Sequence, residues 1–321
     1  MHRFDYSEIL GDIPPDIARL MIYIKEIRSR EDARRANCRQ DYGRLERIAR
    51  LASVKYSNEI EGIIAPDDRI ERIVEHGEYP WNDSEQEIAG YSEALDLINT
   101  NANGLKFECG MILYLHSLLD LTDYGGGPFK DVDNVIVSID RFGRRHIVFE
   151  PVPAEETEYH MEQLCQAYAE LSTQGYEPLL YIPCVILDFL CIHPFIDGNG
   201  RTSRLLTMLL LYREGIDVCR YVSMDEHISL TKPGYYGSLR ESSEGWIDNR
   251  WTYFPFIRYF LRTLLECYRD LEARFPLADG KDEAIEALHR MSDSGPSGIT
   301  LEDIDEEIRD HRKGKEGKST R

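Results

Sequence analysis

Apolar residues recur at three- and four-residue spacing along most of this chain, and strand-like alternation interrupts that rhythm only once. Such a pattern leaves one fold class open: an all-α bundle carrying a small β-hairpin. Pro14–Pro15 precede DIARLMIYIKEIRSR, which places proline in a first helical turn. Asp41–Glu61 sets Leu45, Ile48, Ala49, Ala52, Tyr56 and Ile60 at helical spacing and stops at Gly62. Further helices are expected over Asp83–Asn99, Phe107–Leu121, Ala154–Leu171, Glu177–Ile192, Asn199–Arg213, Lys232–Ser242 and Asn249–Arg274. The exception follows Tyr124–Pro128. Val135, Val137 and Ile139 alternate, Phe142–Gly143 breaks the pattern, and His146–Phe149 resumes it.

Length and charge narrow the functional classes. A chain of 321 residues can bury a substantial core in one large or two modest domains. Its 38 Lys and Arg against 58 Asp and Glu give a net charge of −20, which opposes broad nucleic-acid binding. Any polyanion site must therefore be built locally, from clustered arginine. Seven cysteines are scattered without a CxxC pair, several inside apolar runs, as expected of reduced thiols in a cytoplasmic protein. Met1–Asp16 has no apolar h-region, and the longest apolar run, near Tyr181–Ile192, is too short to span a bilayer. The division expected is an N-terminal helical region over 1–110, a core over 111–275, and a short appendage over 276–321. In the last, Asp282–Met291 and Leu301–Arg309 read as short helices before a basic, apolar-free tail.

Chemistry concentrates in His193–Arg204, HPFIDGNGRTSR. An apolar helix ends at Ile192, Pro194 punctuates it, and a loop with Gly198 and Gly200 leads into the next helix. Backbone N–H groups of such a turn, together with the helix N-terminus, form an anion cradle. Arg201 and Arg204 are three residues apart, so both can project toward it. Asp197 beside a phosphate cradle suits Mg²⁺, and His193 at the entrance suits a general base near neutral pH. DGNG alone is a common turn, but a plain turn needs neither the histidine nor the paired arginines.

This segment resembles the signature of the Fic family, HPFx(D/E)GNGRxxR, at His193, Pro194, Phe195, Asp197, Gly198, Asn199, Gly200, Arg201 and Arg204. More loosely, the resemblance extends over residues 50–270. It implies a helical fold with a hairpin flap, here 134–149, and transfer of AMP from ATP to a protein hydroxyl. It further implies that His193 deprotonates the target hydroxyl and Asp197 holds Mg²⁺, with Mn²⁺ as an alternative. Gly198, Asn199 and Gly200 would orient the phosphates, Arg201 would support the α- and β-phosphates, and Arg204 would grip the γ-phosphate. Retention of both glycines favours adenylyl transfer over the phosphate transfer of the related Doc-type kinases.

Upstream, SNEIEG resembles the family's inhibitory pattern (S/T)xxxE(G/N) through Ser57, Glu61 and Gly62. The resemblance implies a brake on a helix over about 41–62, with Glu61 pairing with Arg204 where the γ-phosphate would sit. The flap residues Val135, Val137 and Ile139 are expected to dock a target strand, and its basic tip DRFGRR would favour an acidic target. Tyr235 and Tyr236 are candidates for nucleoside contact, with Ser243 where many relatives place Asn. A homodimer follows only from the resemblance. Removal of AMP by the same site, transfer of another phosphate-linked group, and a DNA-binding regulator with a degenerate domain are the alternatives.

Overall fold

The computed structural model describes residues 2–6, 9, 11–37, 39–119, 128–139 and 144–275, with the backbone alone at 36, 37, 39–41, 138 and 139. The expectations for 276–321, for the hairpin tip at 140–143 and for the end of the 107–121 helix beyond Leu119 lie outside the described residues.

The core begins with two helices that are buried on all sides. α7 (Pro178–Ile192) is buried at every position from Leu179 to Phe189, and α8 (Asn199–Arg213) from Arg201 to Tyr212. α7 is apolar nearly all round, as a central helix must be, whereas α8 buries polar residues in its first turns; the two pack on each other. Around them lie α1 (Pro15–Asn37), α2 (Arg39–Ile60), α3 (Asp67–His76), α4 (Asp83–Asn101), α5 (Cys109–Ser117) and α6 (Ala154–Thr173). The C-terminal layer consists of α9 (Met224–Leu230), α10 (Lys232–Ser243) and α11 (Phe254–Ala273). α6 packs on α7, α4 and α5 pack on α8, and α2 lies against α4 and α9. Residues 1–271 form one compact unit.

Strands β1 (Ile136–Ile139) and β2 (Arg145–Phe149) pair antiparallel. Val137 faces Ile147, Ile136 faces Phe149, and the register shifts between Ile136 and Val137. The fold is therefore the expected all-α class with one hairpin.

Several boundaries differ from the sequence reading. Helix α3 was not anticipated, although Pro66, the acidic pair Asp67–Asp68 and a left-handed Gly77 cap mark both of its ends. α9 also emerges, capped by Ser223, whose hydroxyl accepts from the Glu226 N–H. The last helix starts at Phe254 rather than Asn249, because Asn249 adopts a left-handed φ of 56° in a turn that returns the Arg250 N–H to Gly245 O. Pro255 then occupies the first turn of α11.

One polar group sits in the middle of α7. Asp188 is fully buried and accepts from Tyr6 Oη at 2.6 Å, Trp246 Nε1 at 2.7 Å and Tyr253 Oη at 2.9 Å. His2 stacks on Trp246 at 3.8 Å. The cluster thus fastens the N-terminal segment and the α10–α11 connection to the helix that ends at His193. Burial raises the Asp188 carboxyl to about 7, against the pull of its three donors. Its ordinary value is 3.8, so the folded protein keeps a proton that the unfolded chain releases between 3.8 and about 7. The Asp188 contribution to stability should therefore fall as pH rises through that window. Asp188→Asn should flatten this dependence and lower stability at pH 5 by about 1–3 kcal/mol, since one amide oxygen cannot serve three donors. Urea unfolding at a series of pH values measures both effects.

Candidate active site

The connection between α7 and α8 is held at nearly every backbone carbonyl. His193 closes α7 in the left-handed region, φ 51°, with its N–H on Phe189 O at 2.9 Å. A non-glycine residue there is strained, and such strain persists only where neighbours over-determine it. The Lys130 N–H donates to Pro194 O at 2.8 Å, and Lys130 Nζ donates to Ile192 O at 3.2 Å. Asn199 takes the Phe195 N–H on Oδ1 at 3.0 Å and returns Nδ2 to Phe195 O at 2.7 Å. His116 from α5 lies 3.0 Å from Asp197 O and stacks on the buried Phe195 ring at 3.6 Å. Phe195 therefore packs inward.

Two side-chain amides reach His193 Nδ1: Asn134 at 3.0 Å and Asn199 at 3.2 Å. Asn134 also donates to Phe195 O and accepts from Lys130 Nζ, so the base of the hairpin is tied to the imidazole. Burial, and after it the Lys130 charge, lower the His193 imidazole to about 4, while Asp197 acts in the opposite sense. A ring held neutral at physiological pH can accept a proton.

The N-terminus of α8 forms the anion cradle. Gly198 caps it with φ 78°, a conformation open to glycine without strain. Asp197 is exposed, and one carboxylate oxygen accepts from the Gly198 N–H at 2.6 Å. No cluster of three or more metal-ligating side chains occurs among the described residues. A single exposed carboxylate beside a phosphate cradle nevertheless fits Mg²⁺, which keeps water and phosphate oxygens as its other ligands.

Both arginines are buried, and each meets a carboxylate. Arg204 Nη2 lies 2.9 Å from Glu61 Oε1 and donates to Ser57 O at 2.8 Å, while Nε donates to Ser57 Oγ at 2.7 Å. Asp225 lies 3.6 Å from Nε. Its carboxyl is raised to about 6 by burial, against the pull of Arg204. Arg201 Nη1 pairs with Glu87 Oε2 at 2.6 Å and approaches Asn58 Oδ1 at 3.5 Å. Gly62 follows the end of α2 with φ 84°, which lets the chain turn away directly after Glu61. Gly200 matters for a different reason: a Cβ there would lie 2.1 Å from Glu61 Oε1.

Beside the cradle is a cavity of about 640 Å³ between the hairpin and α10. Glu61, Gly200, Val148, Leu187, Tyr235 and Tyr236 are among its lining residues. Tyr235 is buried and Tyr236 is 45% exposed. Val135 and Val137 are also exposed, and Val137 reaches the cavity. Ile139 pairs with Arg145 through the backbone of β1, and its side chain is not described.

The fold thus brings together His193, Asp197, Gly198, Asn199, Gly200, Arg201, Arg204, Ser57 and Glu61, with both tyrosines alongside. Sequence reading missed Glu87, Asp225, Lys130, Asn134 and His116. Each lies far along the chain from the signature, and no spacing rule connects them to it.

An imidazole beside a helix N-terminus that carries two arginines is an arrangement that suits a phosphate-bearing ligand. The Fic/DOC family model matches residues 106–211 of this chain. A protein adenylyltransferase, fic-1 of Caenorhabditis briggsae, is 36% identical over 115 residues, which cover 35% of this chain and 20% of that protein. Protein adenylyltransferase Fic of Nematostella vectensis is 32% identical over 105 residues, covering 32% of this chain and 22% of that one. The aligned region therefore spans about a fifth of these relatives' length. Among solved structures, a Fic family protein from Desulfovibrio desulfuricans superposes with TM-score 0.65 at 22% identity, over 92% of this chain and 85% of that one. Fic-1 from C. elegans (residues 134–508) does so with TM-score 0.59 at 20% identity, over 79% of this chain and 69% of that one.

The burial of His193 can be tested by NMR of ring-labelled histidine. His193 should stay neutral until about pH 4. Lys130→Met should raise its titration while leaving it below the ordinary 6.5, because burial is the larger cause.

Proposed function

We propose that this chain is a protein adenylyltransferase that moves AMP from ATP to a Ser, Thr or Tyr hydroxyl of a target protein or of itself, and that Glu61 restrains it. The observation that carries this reading is the place of Arg204, buried at the N-terminus of α8 with Glu61 at 2.9 Å. A helix N-terminus with two arginines is electropositive, and in the absence of phosphate it needs another anion. Glu61 supplies that anion from inside the cavity that would receive the nucleotide.

In the proposed reaction the target oxygen attacks the α-phosphorus. A new O–P bond forms as the P–O bond to the β-phosphate breaks, and pyrophosphate leaves. His193 accepts the hydroxyl proton, a contribution of about 10²–10⁴-fold in rate. The Gly198–Gly200 backbone and Arg201 stabilise charge on the transferring group, and Arg204 holds the γ-phosphate once Glu61 yields. Asp197 would hold Mg²⁺, which neutralises phosphate charge when bound. Tyr235 and Tyr236 line the space for the nucleoside. The hairpin, with Val135 and Val137 exposed, offers an edge for an extended target segment. No helix among the described residues is long and apolar enough to cross a membrane. The described cysteines are unbridged, which supports a cytoplasmic location.

The test compares wild type, Glu61→Gly and Glu61→Gly/His193→Ala with Mg²⁺ and ATP labelled at the α- or γ-phosphate. Removing a charge-assisted contact worth about 1.5–3 kcal/mol should raise AMP incorporation roughly 10–100-fold in Glu61→Gly. The double variant should lose it. Label from the γ-position would identify a kinase instead. AMP removal that disappears in Glu61→Gly would make the carboxylate a participant in hydrolysis. Equal activity of wild type and Glu61→Gly would remove the brake.

A further inference from the structure

Away from the nucleotide cavity, two cysteines from different helices meet at the surface. Cys109 is the first residue of α5, and Cys165 lies on α6. Their sulfurs are 3.8 Å apart, and both residues are partly exposed. The remaining described cysteines, Cys184, Cys191, Cys219 and Cys267, are buried. Among the described cysteines, a soluble oxidant therefore reaches this pair first. A disulfide needs its sulfurs at about 2.0 Å, so the two thiols must close by roughly 1.8 Å, a distance that side-chain rotation can cover.

The two thiols differ in character. The hydrogen bond with Cys165 lowers the Cys109 thiol below the usual range, and a backbone hydrogen bond at Cys109 itself acts in the same sense. Burial and the nearby Glu162 and Glu158 oppose this. Cys165 is pushed up, first by its bond to Cys109 and then by burial. One sulfur is thus disposed to react as thiolate while its neighbour waits as thiol.

We propose that Cys109 and Cys165 form a reversible redox pair, with Cys109 the sulfur oxidised first by a hydroperoxide and Cys165 the resolving thiol. The Cys109 thiolate attacks one peroxide oxygen. An S–O bond forms, the O–O bond breaks, and the released hydroxide takes a proton to become water. The Cys165 sulfur then attacks the Cys109 sulfenic acid. The S–S bond forms, the S–O bond breaks, and a second water leaves with the Cys165 proton. Two electrons pass from the sulfurs to the peroxide, and a dithiol reductant reverses the change. The bond would join positions 56 residues apart and close the segment that contains Lys130, Asn134 and both hairpin strands. This assignment is independent of the adenylyl-transfer reading.

The experiment treats the full-length wild-type chain with a small excess of hydrogen peroxide, blocks free thiols, and maps peptides without reduction. A Cys109–Cys165 linked peptide that dithiothreitol abolishes is expected, together with a rise in Tm on the order of 5–10 °C. In Cys165→Ser, a sulfenic-acid trap should label Cys109; in Cys109→Ser, Cys165 should remain a free thiol. Recovery of both thiols alkylated after peroxide would overturn the proposal. So would a disulfide joining either residue to a different cysteine, or peroxide labelling of Cys165 in preference to Cys109.

Discussion

Two guanidinium groups are buried at the end of a helix where the backbone dipole already opposes positive charge. A buried charge without a partner is costly by several kcal/mol, so Arg201 and Arg204 dictate what must surround α8. Helix α4 brings Glu87 to Arg201, α2 brings Ser57 and Glu61 to Arg204, and α9 brings Asp225 beneath it. The packing of the N-terminal helices on α8 is therefore as much an electrostatic arrangement as an apolar one. An overall charge of −20 is compatible with this cationic pocket because the compensation is local.

The second constraint acts on the loop before α8. Carbonyls of Ile192, Pro194, Phe195 and Asp197 are each engaged, by Lys130, Asn134, Asn199 and His116. Rigidity there holds His193 in a strained left-handed conformation and directs it toward the cradle. Part of the clamp comes from Asn134 at the hairpin's base. The hairpin thus also helps to set the imidazole, so that in the proposed reaction target docking and base positioning would share one anchor.

Legibility in the sequence followed the range of the interactions. The cradle was readable because its glycines, arginines, Asp197 and His193 lie within one turn–helix segment, where local conformational rules apply. Glu61 was readable only through its resemblance to a known pattern, since the ion pair joins residues far apart in the chain. Glu87 looks like any solvated carboxylate on a helix, and Asp225 like any acidic residue near a helix start. Only tertiary packing makes them partners of the arginines. Helix α3 escaped because it is short, although its caps were present. The misplaced start of α11 arose from helical spacing that continued through a turn that Asn249 and Gly245 impose.

The close approach of Glu61 to Gly200 has a consequence for how the activity could diverge. A methyl group at position 200 would collide with the Glu61 carboxylate, and it would also protrude into the turn offered to phosphate. Substitution there would disturb the restraint and the cradle together. Position 61 has no such double duty in the proposed transfer, because its carboxylate must leave before the nucleotide is held productively. Single-step variation can therefore tune the resting restraint through residue 61 while the cradle stays unchanged. Under the proposed function, residue 61 would be an adjustable set point attached to a chemically fixed centre.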